Sequence, residues 1–135
     1  MDKLFLALLT MLSLSVAGAQ VVTSPQGHKI MIFGGSDHRT YLGCLSCSES
    51  QGDSVLNEFG EHGNPYHSES LFNPYQEFGS PYSSTSACNP YASDPPVVVD
   101  EQGSFYGRLT INEFNSERVR SQALQMWIAK VCGND

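Results

Sequence analysis

Between Ser54 and Ala92 the sequence repeats every sixteen residues, and this period constrains the fold more than any other feature of the chain. The first copy runs Ser54-Val-Leu-Asn-Glu-Phe-Gly-Glu-His-Gly-Asn-Pro-Tyr-His-Ser-Glu69. The second runs Ser70-Leu-Phe-Asn-Pro-Tyr-Gln-Glu-Phe-Gly-Ser-Pro-Tyr-Ser-Ser-Thr85, and a third begins Ser86-Ala-Cys-Asn-Pro-Tyr-Ala92 and departs. In phase stand Ser54, Ser70 and Ser86; Asn57, Asn73 and Asn89; and the rings of Phe59, Tyr75 and Tyr91. Gly63-x-Pro65-Tyr66 returns as Gly79-x-Pro81-Tyr82. Repeated units share one local fold and stack on their neighbours.

The residue types predict turns. Serine followed three residues later by asparagine can satisfy backbone donors locally in a short capped turn, and Gly followed by Pro-Tyr marks a second bend. Proline after Asn73 and Asn89 pushes each asparagine towards an extended conformation. Each unit therefore reads as turns joined by one or two buried aromatics. Leu56, Phe72 and Cys88 share a repeat position, so Cys88 is expected to point inward.

The flanks look regular. Lys29 to Phe33 and Thr40 to Leu45 read as strands joined through Gly34 to His38. Val97 to Val99 and Ser104 to Ile111 read as a hairpin. Asp100 to Gly103 form its turn, with Gly103 at positive φ. Pro95-Pro96 stops the first arm from starting earlier. In the second arm Phe105, Gly107, Leu109 and Ile111 share one face. A helix is expected over 116–132, capped by Asn115 or Ser116 and ended by Gly133. Its stripe is Val119, Ala123, Leu124, Trp127, Ile128 and Val131. The expected class is mainly β, a small α+β fold. Two hairpin-like strand pairs (the second over 97–111) flank the irregular repeat region 54–92, with one C-terminal helix.

Residues 1–19 read as a secretory signal peptide. Lys3 precedes an apolar run from Leu4 to Val16, and Ala17-Gly18-Ala19 is a small-x-small cleavage site. The run is shorter than the roughly 20 residues of a membrane span. What remains, 20–135, is the length of one domain. The chain is 40% hydrophobic, and the leader takes a disproportionate part of that. Covalent staples would therefore help a thin core.

Four cysteines in an exported chain argue for two disulfides, with three possible connectivities. The favoured pairing joins Cys44 to Cys47, across a turn at Ser46 to Ser48, and Cys88 to Cys132. The expected localisation is exported, in periplasm or extracellular medium. Net charge is −7 with no basic run, which disfavours nucleic acid and anionic membranes as partners.

Several segments together resemble a group of short bacterial exported proteins with Ser-x-x-Asn-x-aromatic repeats. They are Thr40-Tyr-Leu-Gly-Cys-Leu-Ser-Cys47, the repeats themselves, Asn89-Pro-Tyr-Ala-Ser-Asp-Pro-Pro96 and Phe105-Tyr-Gly-Arg-Leu-Thr110. Similar segments look like those appended to secreted nucleases of the staphylococcal thermonuclease type. The resemblance spans roughly residues 29 to 132 and implies an accessory module. It transfers no activity, since the chain has neither the room nor the arginine-rich acidic site of such a nuclease.

Candidate chemistry is sparse. Cys44-x-x-Cys47 reads as a structural disulfide before a redox pair or a zinc site, although His62 and His67 offer further ligands. His28 and His38 show no ligating spacing. The acids Asp53, Glu58, Glu61, Glu69 and Glu77 do not all recur in phase: Glu58 falls at Pro74 in the next copy and Glu61 at Glu77. A solvated face is expected rather than a calcium loop. No Gly-x-Ser-x-Gly elbow supports a hydrolase.

What remains is the aromatic set Phe59, Tyr66, Tyr75, Tyr82 and Tyr91. These rings either form the core of the repeat or, with Ser and Asn, a recognition surface. The preferred expectation is a non-enzymatic exported accessory or binding module with that surface as interface. It would take a protein, peptide or glycan partner and would have no cofactor, no metal and no transmembrane anchor. The alternatives are a small exported redox or metal-dependent enzyme using the Cys44/Cys47 region, and an envelope structural protein.

Overall fold

The computed structural model describes residues 19–24 and 26–133; the signal peptide expected over 1–19 lies outside the described residues except for Ala19. Strands form where β-branched and aromatic residues cluster: β1 over Ile30–Gly34, β2 over Thr40–Cys44, β3 over Val97–Asp100 and β4 over Phe105–Arg108. The two expected hairpins exist, and they join. β1 pairs antiparallel with β3, Ile30 opposite Asp100 and Phe33 opposite Val97. The result is one four-stranded antiparallel sheet in the order β2-β1-β3-β4. β3 begins at Val97, directly after two fully buried prolines. The β3–β4 turn carries Gly103 at φ 84°, a value that glycine adopts freely.

The two hairpins end alike. Gly43-Cys44-Leu45-Ser46 and Gly107-Arg108-Leu109-Thr110 each follow a register shift. Leu45 and Leu109 are fully buried. Ten residues after Cys44 and Arg108 the chain returns in a parallel bridge, at Ser54 and Arg118. The second arm is thus a strand only to Arg108, and Thr110 is buried beside Leu109 rather than facing away from it.

Between the hairpins the repeat folds as a turn-built coil with a half-period of eight. Buried pairs recur as Ser54/Val55, His62/Gly63, Ser70/Leu71, Phe78/Gly79 and Ser86/Ala87. Ser70 Oγ donates to the His62 carbonyl and Ser86 Oγ to the Phe78 carbonyl, each eight residues back. The same hydroxyls accept from the backbone N–H of Phe72 and Cys88. Asn57, Asn73 and Asn89 donate through Nδ2 to the carbonyls of Gln51, His67 and Ser83, each six residues back. A segment without strands or helices therefore keeps its backbone satisfied, as a dry interior requires. The coils lie against the sheet: His62 packs where a Cβ on Gly43 of β2 would stand, and Phe78 where a Cβ on Gly34 of β1 would stand.

The helix, α1, runs over Gln122–Val131 and starts later than the expected 116. Arg108 explains the difference. Its N–H donates to the Glu117 carbonyl and its carbonyl accepts from Val119, so 117–119 belongs to the sheet edge. Asn115 caps a turn by accepting from Glu117, and Ser121 is the helix cap, accepting from Leu124. Leu124 and Ile128 enter the core with Ile30, Leu71, Val98 and Leu109, whereas Ala123 is exposed. Gly133 ends the helix at φ 77°, as expected.

Both disulfides follow the favoured pairing. Cys44–Cys47 has its Cα atoms 5.5 Å apart, and Cys88–Cys132 has them 5.3 Å apart. The second ties the end of α1 to the third repeat copy. Cys88 is buried as expected, although Leu56 and Phe72 are only half-buried.

Two ion pairs lock loops to the sheet. Arg108 Nη1 donates to Asp94 Oδ1 at 2.6 Å, and His38 Nε2 lies 2.7 Å from the same oxygen. Lys29 pairs with Asp53, which also accepts from the Tyr41 hydroxyl. Partial burial pushes both carboxyls up, but Arg108 and His38 on Asp94, and Lys29 and Tyr41 on Asp53, outweigh it and hold both below the usual range. A depressed carboxyl stabilises the fold above its unfolded value, about 4. That contribution is lost as pH falls through the lower folded value. Pairs this exposed are worth on the order of 1 kcal/mol each. We therefore expect Tm to drop by up to roughly 4 °C per pair as pH falls from 6 to 2.5. Asp94→Asn should flatten part of that profile; a wild-type Tm that does not change with acid would contradict the assignment.

Candidate binding face

Five turns of one design line the coil. In each, a side-chain oxygen accepts from the backbone N–H two residues on. Asn57 accepts from Phe59, Asn64 from Tyr66 and Asn73 from Tyr75. Ser80 accepts from Tyr82 and Asn89 from Tyr91. Proline stands between the partners at 65, 74, 81 and 90, and Glu58 in the first turn. The acceptor fixes the peptide before each ring, and in the four proline turns φ is fixed as well, so the rings leave constrained platforms.

Every one of these rings is exposed: Phe59 at 96%, Tyr66 and Tyr75 at 90%, Tyr82 and Tyr91 at 89%. The expectation of buried aromatics joining the turns is therefore wrong for all five. The core instead uses Val55, Leu71, Phe78 and Ala87, which flank the Ser and Gly positions. The tight turn turns its proline and ring away from the sheet, because the hydrogen-bonded backbone fills its inner side.

The turns border two clefts beside the end of α1. One, of about 710 Å³, is lined by Phe59, Pro65, Tyr66, Phe72, Trp127 and Lys130. The other, of about 410 Å³, is lined by Phe72, Pro74, Pro81, Pro90, Val131 and Cys132. Both include Phe72 and Val131, so they are contiguous. Trp127 meets Phe72 edge-on with ring centroids 5.9 Å apart, and this contact forms the wall between coil and helix.

One residue of this kind escaped the sequence reading. Phe114 is 93% exposed and its N–H is held by Asn112. Ile111-Asn112-Glu113-Phe114 repeats Leu56-Asn57-Glu58-Phe59, a match that lies out of phase with the sixteen-residue period. Within the repeat, the half-period of Asn64 and Ser80 was equally open to reading.

The other candidates separate. Cys44 and Cys47 are buried and bonded to each other, so they do not join His62 and His67 as thiolate ligands. His67 Nδ1 accepts from the Glu69 N–H, the role that Ser83 plays sixteen residues later for Thr85. His38 belongs to the Arg108–Asp94 pair. The acids do not form a uniform solvated face: Asp53 is paired, Glu77 accepts from Thr85, and Glu61, His62 and Glu69 gather together. A further cleft, of about 560 Å³, opens away from the rings between Ile30, Val98, Phe105 and Leu124. Among the described residues no helix is long and apolar enough to cross a membrane. No family model, curated protein or solved structure matches the chain.

Proposed function

We propose that this is an exported, non-enzymatic binding module whose contact surface is the row of rings Phe59, Tyr66, Tyr75, Tyr82 and Tyr91. The observation that carries the reading is their exposure. A chain thin in apolar residues places five large rings in solvent, each on a hydrogen-bonded turn that proline stiffens in four of the five. Rings held this way bind with little loss of conformational entropy. Export is supported by the leader-like N-terminus together with two disulfides.

The setting narrows the ligand. Two rings recur in each full sixteen-residue copy at a fixed spacing, which suits an extended ligand. Exposed Glu58 lines the cleft with Phe59 and Tyr66 and the chain carries −7, which favours a ligand that is uncharged or cationic where it touches. A glycan chain or an extended peptide meets both conditions.

The test is retention on the host's purified envelope polysaccharide and, separately, on its exported proteins. The wild type is compared with a variant in which all five rings are alanine. Each exposed anchor that matters costs more than about 1 kcal/mol when truncated, so the variant should lose at least roughly 100-fold in affinity. Its Tm should barely change, because exposed side chains contribute little to folding. Saturable binding that survives loss of the rings would sink the reading.

A further inference from the structure

We propose that Glu61, His62 and Glu69 form a binding site for one divalent transition-metal ion of the zinc class. Each supplies a ligand atom, and these atoms lie within 4.8 Å of one another. His62 is only 5% exposed, and its Nδ1 lies 3.3 Å from the Glu69 carbonyl oxygen. A proton on that nitrogen is held by the backbone and leaves the other nitrogen with the lone pair a metal needs. Ligating histidines are commonly oriented in this way. The ring is fixed by its neighbours as well. It meets Tyr41 edge-on with centroids 5.1 Å apart, and it covers Gly43, where a Cβ would stand 2.8 Å from the His62 Cβ.

The repeat supplies an internal control. Sixteen residues on, the three positions hold Glu77, Phe78 and Thr85. There the Thr85 hydroxyl donates to Glu77 Oε2 at 2.6 Å, and Phe78 is a core ring on Gly34. Nothing in that copy needs a cation. In the first copy the hydroxyl becomes a second carboxylate and the phenyl becomes an imidazole. Glu61 and Glu69 thus bring two carboxylates to the same imidazole. A shared cation uses both carboxylates and takes the imidazole as its third ligand. The two changes are therefore linked: each makes sense in the presence of the other.

The donor set selects the metal. Calcium and magnesium require six or more oxygens, often including several waters. One imidazole with two carboxylates suits zinc or a neighbouring first-row ion, with a fourth position left to water.

The test is calorimetric titration of the mature chain with zinc chloride in a non-coordinating buffer. One equivalent should bind, and excess zinc should raise Tm. His62→Phe with Glu69→Thr installs the residues that the second copy already uses, so the coil retains its packing. Loss of a single outer partner of a metal ligand costs about 10–100-fold, so loss of two ligands should weaken zinc binding at least roughly 100-fold. Glu69→Thr alone, which leaves the buried ring in place, should weaken it at least tenfold by the same reasoning. The inference is overturned by a wild type that takes up no stoichiometric zinc, by variants that bind zinc as tightly as the wild type, or by magnesium binding as tightly as zinc.

Discussion

Replacing Gly63 with alanine is expected to cost about 4 kcal/mol or more, in the range where single substitutions are exceptional. A Cβ at this position would overlap the carbonyl oxygen of Asn57 and stand 2.5 Å from its carbonyl carbon. Both atoms are backbone, in a turn pinned by Asn57 Nδ2 on Gln51 and Asn57 Oδ1 on Phe59. No side chain can rotate away, so the previous turn must move and break those bonds. Gly79 repeats the situation, with a Cβ that would overlap Asn73 and stand 2.7 Å from the Leu71 carbonyl oxygen. Gly79→Ala is therefore expected to be as severe. Gly52 is the control: a Cβ there meets nothing within 4 Å, and Gly52→Ala should change stability by no more than about 0.5 kcal/mol. Urea denaturation of the three variants decides the matter. A cost under 1 kcal/mol at Gly63 would show that the coils are not packed as described.

Removing the Cys88–Cys132 bond as Cys88→Ala with Cys132→Ala should cost nearly as much. The bond closes a loop with a separation of 44 residues. In the chain-entropy model a loop of this length contributes about 4 kcal/mol. For a domain of this size that corresponds to a Tm lower by more than about 10 °C. The bond also joins the end of α1 to the third repeat copy, between which no backbone hydrogen bond runs among the described residues. Cys132 and Val131 border the cleft beside Pro74, Pro81 and Pro90, so its loss should loosen that wall as well. The denatured chain becomes less constrained, so the urea m-value should rise as the midpoint falls. A double variant within 1 kcal/mol of the wild type would mean that packing of Leu124, Trp127 and Ile128 alone holds the helix.

These two expectations rest on features that were legible to different degrees. The disulfide pairing could be anticipated because Cys44 and Cys47 are too close in sequence to ignore each other once the chain turns. Cys88 occupied an inward repeat position, and Cys132 lay at the end of an amphipathic segment. The capped turns were equally legible, since Ser and Asn bond their own neighbours whatever surrounds them. The helix start was not. Asn115-Ser116-Glu117 is a sound capping sequence, but the free N–H and C=O of Arg108 on the sheet edge claimed Glu117 and Val119 first. The Glu61–His62–Glu69 cluster was also missed, because reading acids and histidines separately hides a site that appears only when copies are compared position by position.

The local conformations were legible in the residues themselves: the period, the Asn-Pro-Tyr and Ser-Pro-Tyr turns, the four short strands, the Cys44–Cys47 staple and a helix near the C-terminus. All of these depend on contacts between residues a few positions apart. Long-range packing settled which side of each turn faces inward, that Cys88 meets Cys132, that β1 and β3 join two hairpins into one sheet, and that five rings stand in solvent. Those outcomes depend on what is packed against each element. A tyrosine after Asn-Pro has the same local geometry in a core or on a surface. Here the core side was already filled by hydrogen-bonded backbone, by Val55, Leu71, Phe78 and Ala87, and by the glycines that let the coils approach the sheet.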